Sequence, residues 1–365
     1  MCGGTRRFRA WERWRKSAVR WGCFSASVHT VRFRLSIREN RISLVHVHNT
    51  LPLIGPAVYY AALREGVPVV QTVHNFRLLC PNAIFYRDGH ICEDCTKKGL
   101  HCAVKHRCYR GSRLQTVLCV LSTRLHRALK TYSRLHYITL TDFNRQKLLA
   151  LKQIPPENVS VKPNFVEPPE TIVPYAAREN QVVYIGRLDA LKGIRLLLEA
   201  WARYERSGGG MKLIICGTGP EEAWCREYLT REKLKQAELR GFVPNSAARA
   251  LMGQSKALIL PTQWYEGFPM TIVEAFSAAT PVICSDLGNA GSLISDGMTG
   301  FKFPADSAEQ LAQTLNRLQH AESVSEGALK TYQENFTAEA NYRRLMAIYS
   351  KAMQKSGERS EPSCG

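Results

Sequence analysis

The chain has 365 residues, 45% hydrophobic and 22% charged, which excludes a disordered or low-complexity polymer and leaves room for two domains of ordinary size. A formal charge of +19 draws the surface to anions such as phosphorylated ligands, acidic lipid headgroups or nucleic acid. No run reaches the roughly 18 apolar residues of a spanning helix, and the start lacks a signal-peptide core, so the expected location is cytoplasmic, at most peripheral on the inner face of a membrane.

The first forty residues hold ten Arg or Lys and two Glu, with Phe8, Trp11, Trp14 and Trp21 at near-helical spacing. They read as a basic amphipathic helix. A doubly wound domain normally opens with a strand running into a Gly-rich turn. Here the first credible strand is Leu44–His48, with no such turn before it, so the first domain is expected to be incomplete. Strands at Val69–His74 and Tyr137–Thr141 follow. His46, His48 and His74 lie at strand ends, where the plain reading is a capping or packing role.

Twelve cysteines without a secretion signal do not read as a disulfide framework. Cys216 and Cys284, in apolar runs, are expected to be small buried hydrophobes. Cys80, Cys92, Cys95 and Cys108 differ. Cys-x2-Cys spacing lets two thiolates share one tetrahedral metal, and two further cysteines would close a structural zinc site. The alternative is four reduced thiols in a loop. Leu114, Val117, Leu118, Leu121, Leu125, Ala128, Leu129 and Tyr132 then form an apolar stripe at helical spacing, with Arg113, Arg124, Arg127, Lys130 and Arg134 around it. The first reading is the core face of a crossover helix. The second rests this half on an anionic membrane surface.

A Pro-rich stretch from Pro155 to Pro174 separates two alternating series of strands and helices. It divides the chain into a first domain, 1–165, and a second, 166–337, followed by a helix at 338–354 and a disordered tail at 355–365. Strands at Val182–Gly186, Leu213–Gly217, Ala257–Leu260 and Val282–Ser285 mark parallel sheets covered on both faces.

Two segments of the second domain carry chemistry. Residues 266–275 read Glu-Gly-Phe-Pro-Met-Thr-Ile-Val-Glu-Ala. They place Glu266 in a loop, Pro269 at a helix start and Glu274 more than a turn into the helix, whose free N–H groups suit a phosphate. Residues 186–193 read Gly-Arg-Leu-Asp-Ala-Leu-Lys-Gly, putting the cations Arg187 and Lys192 at the carboxyl end of a parallel strand. No two of the seven Asp residues form an Asp-x-Asp pair that could hold Mg²⁺ on a diphosphate. Arg187, Lys192 and the helix dipole would then balance leaving-group charge, with no cofactor for catalysis.

With these segments, Cys-Gly-Thr-Gly-Pro at 216–220, Gly-Phe-Val at 241–243 and Asp-Gly-Met-Thr-Gly-Phe at 296–301, the chain resembles the family-four retaining glycosyltransferases of the GT-B fold over most of residues 160–350. The resemblance implies two Rossmann-like α/β domains facing a cleft, with an acceptor-side domain first and a nucleotide-sugar donor domain second. It implies that Arg187 and Lys192 bind the donor diphosphate, Glu266 contacts the transferred sugar, Glu274 holds the ribose, and His74 faces the sugar near the reaction centre. The backbone of Gly267, Phe268 and Pro269 would complete the sugar pocket. Gly186, Gly217, Gly219 and Val243 would line the rest of the donor site. His-Asn-Phe-Arg-Leu-x-Cys-Pro, Cys-x2-Cys and His-Arg-Cys-Tyr-Arg look like a subset of bacterial members.

Leu191 and Ser292 depart from the family pattern, where Glu is usual; this bears on rate and donor identity, not on reaction class. The expected activity moves a sugar from a nucleotide-diphosphate donor to a lipid-linked or polysaccharide acceptor. Rival readings are a GT-B nucleotide-sugar epimerase or hydrolase, and a non-catalytic protein binding polyanions or membrane. Nucleic acid is not an expected partner, because basic and aromatic residues are not joined in any recognition motif.

Overall fold

A computed structural model describes residues 26–50 and 55–358. The first strands are β1 (Val45–Val47), β2 (Val69–Val73), a short antiparallel hairpin of β3 (Tyr86–Arg87) and β4 (His90–Ile91), then β5 (His136–Thr139) and β6 (Val159–Val161). β1, β2, β5 and β6 form a parallel sheet in that order. The second sheet holds β7 (Glu179–Ile185), β8 (Lys212–Cys216), β9 (Ala237–Gly241), β10 (Ser255–Leu260), β11 (Val282–Ser285) and β12 (Gly300–Phe303). Its order is β12-β11-β10-β7-β8-β9, all parallel. The chain is therefore α/β with two Rossmann-like domains, the GT-B arrangement.

The strand residues of the second sheet are apolar on both faces because helices cover both. On one side Ile194, Leu197, Leu198 and Trp201 recur at helical spacing along Ile194–Arg206 and are fully buried. On the other, Ile272, Val273 and Phe276 of Met270–Ser277 pack on Val183, Ile214 and Leu258. Each such aliphatic side chain contributes about 2 kcal/mol relative to exposure. Cys216 and Cys284 are buried as small hydrophobes.

Before β1 the described residues form a helix, Ala26–Glu39, which packs on Ala57–Arg64; Arg34 and Arg38 both grip Glu65, at 2.6 and 2.5 Å. The aromatic part of the expected amphipathic segment, Phe8 to Trp21, lies outside the described residues, as does 359–365 of the expected tail. The tail's first residues, 355–358, instead extend the last helix, Ala338–Glu358, and Lys355 Nζ donates to Asn158 Oδ1 at 2.7 Å. That helix returns to the first domain, laying Ile348 and Ala352 on Val70 and Ile138. The chain thus crosses between domains twice. The two crossings are bonded together: Val166 N–H donates to Phe336 O at 3.3 Å, Tyr332 OH to Val166 O at 2.8 Å, and Asn341 Nδ2 to Pro163 O at 2.6 Å.

The helix Arg113–Ala128 corrects the first reading of its leucine stripe. Its inward side is Thr116, Val120, Ser122 and His126, while Leu114, Leu121, Leu125 and, just beyond its end, Leu129 are exposed. Polar groups can face inward because they find partners there: Thr116 Oγ1 donates to Ser112 O at 2.7 Å, and His126 Nδ1 shares a hydrogen with Tyr60 OH at 2.7 Å.

Candidate functional site

The predicted donor residues converge at the carboxyl ends of β7, β8 and β10. The turn after β7 is held by its own strand: buried Tyr184 donates its hydroxyl to Arg187 O at 2.8 Å, and Leu188 is wholly buried. Asp189 caps the short turn Ala190–Lys192 by accepting from Leu191 N–H at 3.0 Å. Gly193 then takes a left-handed φ of 71°, where a Cβ would sit 1.7 Å from Pro261 O. Only glycine lets this turn close onto the end of β10. A Cβ on Gly217 would likewise lie 1.8 Å from Gly186 O, so the β7 and β8 turns touch backbone to backbone. Beside them opens a groove lined by Gly186, Arg187, Gly217, Thr218, Gly219 and Val243, with Phe242 exposed at its edge.

Lys192 and Glu266, 74 residues apart in sequence, form one unit. Lys192 Nζ lies 2.7 and 2.9 Å from the two Glu266 carboxylate oxygens, and Thr262 Oγ1 adds a bond at 3.1 Å. Glu266 is buried, so this cation and hydroxyl offset its desolvation. Lys192 also stands 5.7 Å from the Trp264 ring, near enough for a cation–π contact. Arg187 is exposed along the groove, with Asp189 3.5 Å from its Nε. Pro269 caps the helix Met270–Ser277 one position earlier than expected. Glu274 faces Asn245, whose Nδ2 is 3.5 Å from its Oε1.

The first domain meets this loop directly. Gly267 abuts the end of β2, so closely that a Cβ there would be 2.7 Å from His74 O. Gly267 O accepts at 3.0 Å from Asn144 Nδ2 of the first domain and at 3.0 Å from Asn289 Nδ2 of the second. Asn289, wholly buried, also donates to Glu266 O and to Asn144 Oδ1 and accepts from Thr141 Oγ1. Tyr265 packs with Phe76, Phe85 and Phe143, and its hydroxyl donates to Glu93 Oε1 at 3.1 Å; Lys147 reaches the same carboxylate. Sequence reading missed Asn144, Asn289, Tyr265 and Glu93. A lone Asn in a helix carries no signal until its partners are known.

His74 is half-buried at the mouth of the cleft. Burial, the neighbouring His48 and Lys162 all hold its pKa below the ordinary histidine value, so it stays neutral at neutral pH. Its Nε2 lies 2.7 Å from His48 Nδ1, which gives His48 a contact beyond simple packing. His46 keeps the plain role: it bridges Thr72 Oγ1 at 2.8 Å and Tyr349 OH at 2.6 Å, and burial with the nearby His48 and Lys162 lowers its pKa to about 4.

The cysteine segment is not a plain loop but a hairpin followed by the short helices Asp94–Lys97 and His101–Lys105. The Cys80 and Cys95 thiols act on each other, which holds Cys80 below the ordinary thiol value and pushes Cys95 above it. Burial and the Cys80 charge raise Cys108. Cys92 turns to Asp94 Oδ2, 3.7 Å away. Among the described residues no three His, Cys, Asp or Glu side chains are arranged to hold a metal.

Comparison with known proteins accounts for both halves. Residues 6–169 match the Glycosyltransferase Family 4 model and residues 172–336 the model of glycosyl transferases group 1. Glycogen synthase of Mycobacterium tuberculosis is 24% identical over 194 residues, 51% of this chain and 47% of that protein. The chain is thus matched to about half the length of that relative. An alpha-D-kanosaminyltransferase of Streptomyces kanamyceticus is 23% identical over 92% of this chain and 82% of its own. Among solved structures, Anabaena HepE in complex with UDP and glucose superposes with a TM-score of 0.61 at 17% identity, covering 88% of this chain and 80% of that one. Two adjoining domain matches, two parallel sheets and a lysine–glutamate unit in the cleft between them agree: the chain belongs to the family-four glycosyltransferases of the GT-B fold.

Proposed function

We propose that the protein transfers a sugar from a nucleotide-diphosphate donor to a lipid-linked or polysaccharide acceptor in cell-surface glycan synthesis, with retention at the anomeric carbon. The observation that carries this reading is the Lys192–Glu266 pair beside the groove of Gly186, Arg187 and Gly217, all at one end of the second sheet. The groove takes the nucleoside diphosphate, Glu274 the ribose, and Arg187 and Lys192 the charge that grows on the diphosphate as the glycosidic bond breaks. Glu266 accepts a hydrogen bond from a sugar hydroxyl. An acceptor hydroxyl attacks from the face the diphosphate leaves. Its proton passes to a leaving phosphate oxygen, so no enzyme nucleophile is needed. Neutral His74 offers a hydrogen bond near the same carbon, and the chemistry needs no metal. HepE, seen with UDP and glucose, supports a nucleotide-sugar donor.

The test is transfer from a nucleotide-sugar panel to a synthetic lipid-linked acceptor, with the product's anomeric configuration read by NMR. Retention is expected. An inverted product, or release of epimerised or hydrolysed sugar instead of transfer, would overturn the proposal.

Structural zinc at Cys80, Cys92, Cys95 and Cys108 is a second proposal. The Cys-x2-Cys spacing with two further thiols in one short segment supports it. Since no three of these side chains stand together among the described residues, the thiols, Cys92 with its tie to Asp94 included, must rearrange for the ligand set to close. Protein purified reduced and without added zinc is expected to carry about one Zn²⁺ per chain, with chelator lowering its melting temperature. A metal-free chain indifferent to chelator leaves four reduced thiols.

A further inference from the structure

The outward face of Arg113–Ala128 is an inverted amphipathic surface. Leu114, Leu121, Leu125 and Leu129 are 70%, 52%, 48% and 54% exposed, while Thr116, Ser122 and His126 point inward. Scattered surface leucines are ordinary; four along one helical side are a patch. Beside it, a groove between this helix and His101–Lys105 is lined by Lys105, Arg107, Arg113 and Arg124, with Val117 and Leu121, and no carboxylate lines it. None of these four cations takes part in an ion pair among the described residues. Lys130 and Arg134 extend the charge past the helix end, both exposed.

We infer that this face docks on an anionic lipid bilayer. The leucines enter the boundary between headgroups and acyl chains, and the Lys105–Arg107–Arg113–Arg124 groove takes lipid phosphates. Charge alone would suit a soluble polyanion equally well. The leucines decide for a bilayer, because a soluble polyanion offers them nothing apolar. The inference rests on the proposed lipid-linked acceptor, which it would bring to the acceptor-side domain at the membrane surface.

The full chain is mixed with vesicles of phosphatidylglycerol and phosphatidylcholine in equal parts, and with vesicles of phosphatidylcholine alone, and sedimented. Anionic vesicles are expected to carry the protein down and neutral ones to leave it in solution. Leu121→Asp and Leu125→Asp are each expected to weaken partition by about tenfold. Paired Arg113→Glu and Arg124→Glu is expected to abolish the preference for anionic lipid. Each variant must keep the wild-type circular dichroism, which exposed positions should permit. Equal binding to neutral vesicles, or undiminished binding by the leucine variants, overturns the inference. So does self-association, read by analytical ultracentrifugation, that the leucine variants abolish in the absence of vesicle binding. All these readouts are independent of sugar transfer, so a failure of the proposed activity would not be mistaken for a failure of docking.

Discussion

Lys192→Ala is expected to lower turnover by on the order of 10²–10³, the cost of losing one preorganised donor to a developing anion. The argument is differential. Arg187 is exposed and has solvent and Asp189 as company, whereas Lys192 is fixed by two bonds to Glu266 at 2.7 and 2.9 Å. A cation held in place before the donor arrives needs no reorganisation as diphosphate charge grows, so its removal should appear in kcat more than in KM. The variant also strips a buried carboxylate of its counter-charge, leaving Thr262 as its side-chain hydrogen-bond partner. Glu266→Ala should therefore raise KM and lower kcat together. Glu274→Ala, whose ribose contact changes little along the reaction, should act chiefly on KM. The measurement is steady-state transfer in EDTA, then with Mg²⁺ added. Full activity in Lys192→Ala would refute the metal-free clamp, and so would wild-type activity that only Mg²⁺ restores.

Asn289→Ala is expected to cost about 3 kcal/mol of stability, because it takes a hydrogen-bond partner from several groups in a buried network at once. Those groups are the carbonyls of Glu266 and Gly267, the Asn144 amide and the Thr141 hydroxyl. Gly267 O keeps its bond from Asn144, which limits the loss. The readout is the urea midpoint at unchanged slope. Turnover should fall as well, since the carbonyl next to the Glu266 carboxylate loses its anchor. A midpoint within error of wild type would show that the asparagine is dispensable.

The second domain was legible because its strands are continuous apolar runs and its turns carry glycine. Val282–Ser285 is predicted and observed at the same bounds, and the other long strands shift by one to three residues. The strands that sequence reading missed are short or peripheral. Val159–Val161 has three residues inside a Pro-rich stretch. Ala237–Gly241 is an edge strand whose charged residues mask its pattern, and Gly300–Phe303 follows a turn and alternates with Lys302. Periodicity found the helix Arg113–Ala128 but misassigned its inner side. The hydrophobic pattern says that a face is apolar, not that anything covers it. In the site, residue type and spacing singled out Lys192, Glu266 and Glu274 only in combination with the family resemblance; spacing alone would have left the two glutamates as ordinary surface acids. The network of Thr141, Asn144 and Asn289 was invisible because its members become neighbours only when the two domains meet.

The paired crossings set how the two lobes can move. A single tether would leave a swivel, free to turn as well as tilt. Here two strands of chain run side by side, tied by Val166 to Phe336, Tyr332 to Val166 and Asn341 to Pro163. Rotation of one lobe about the long axis would shear those ties, whereas folding about the line they define leaves them intact. The molecule is therefore built to open like a book, and Gly267, pressed against His74 O, lies where the facing pages touch.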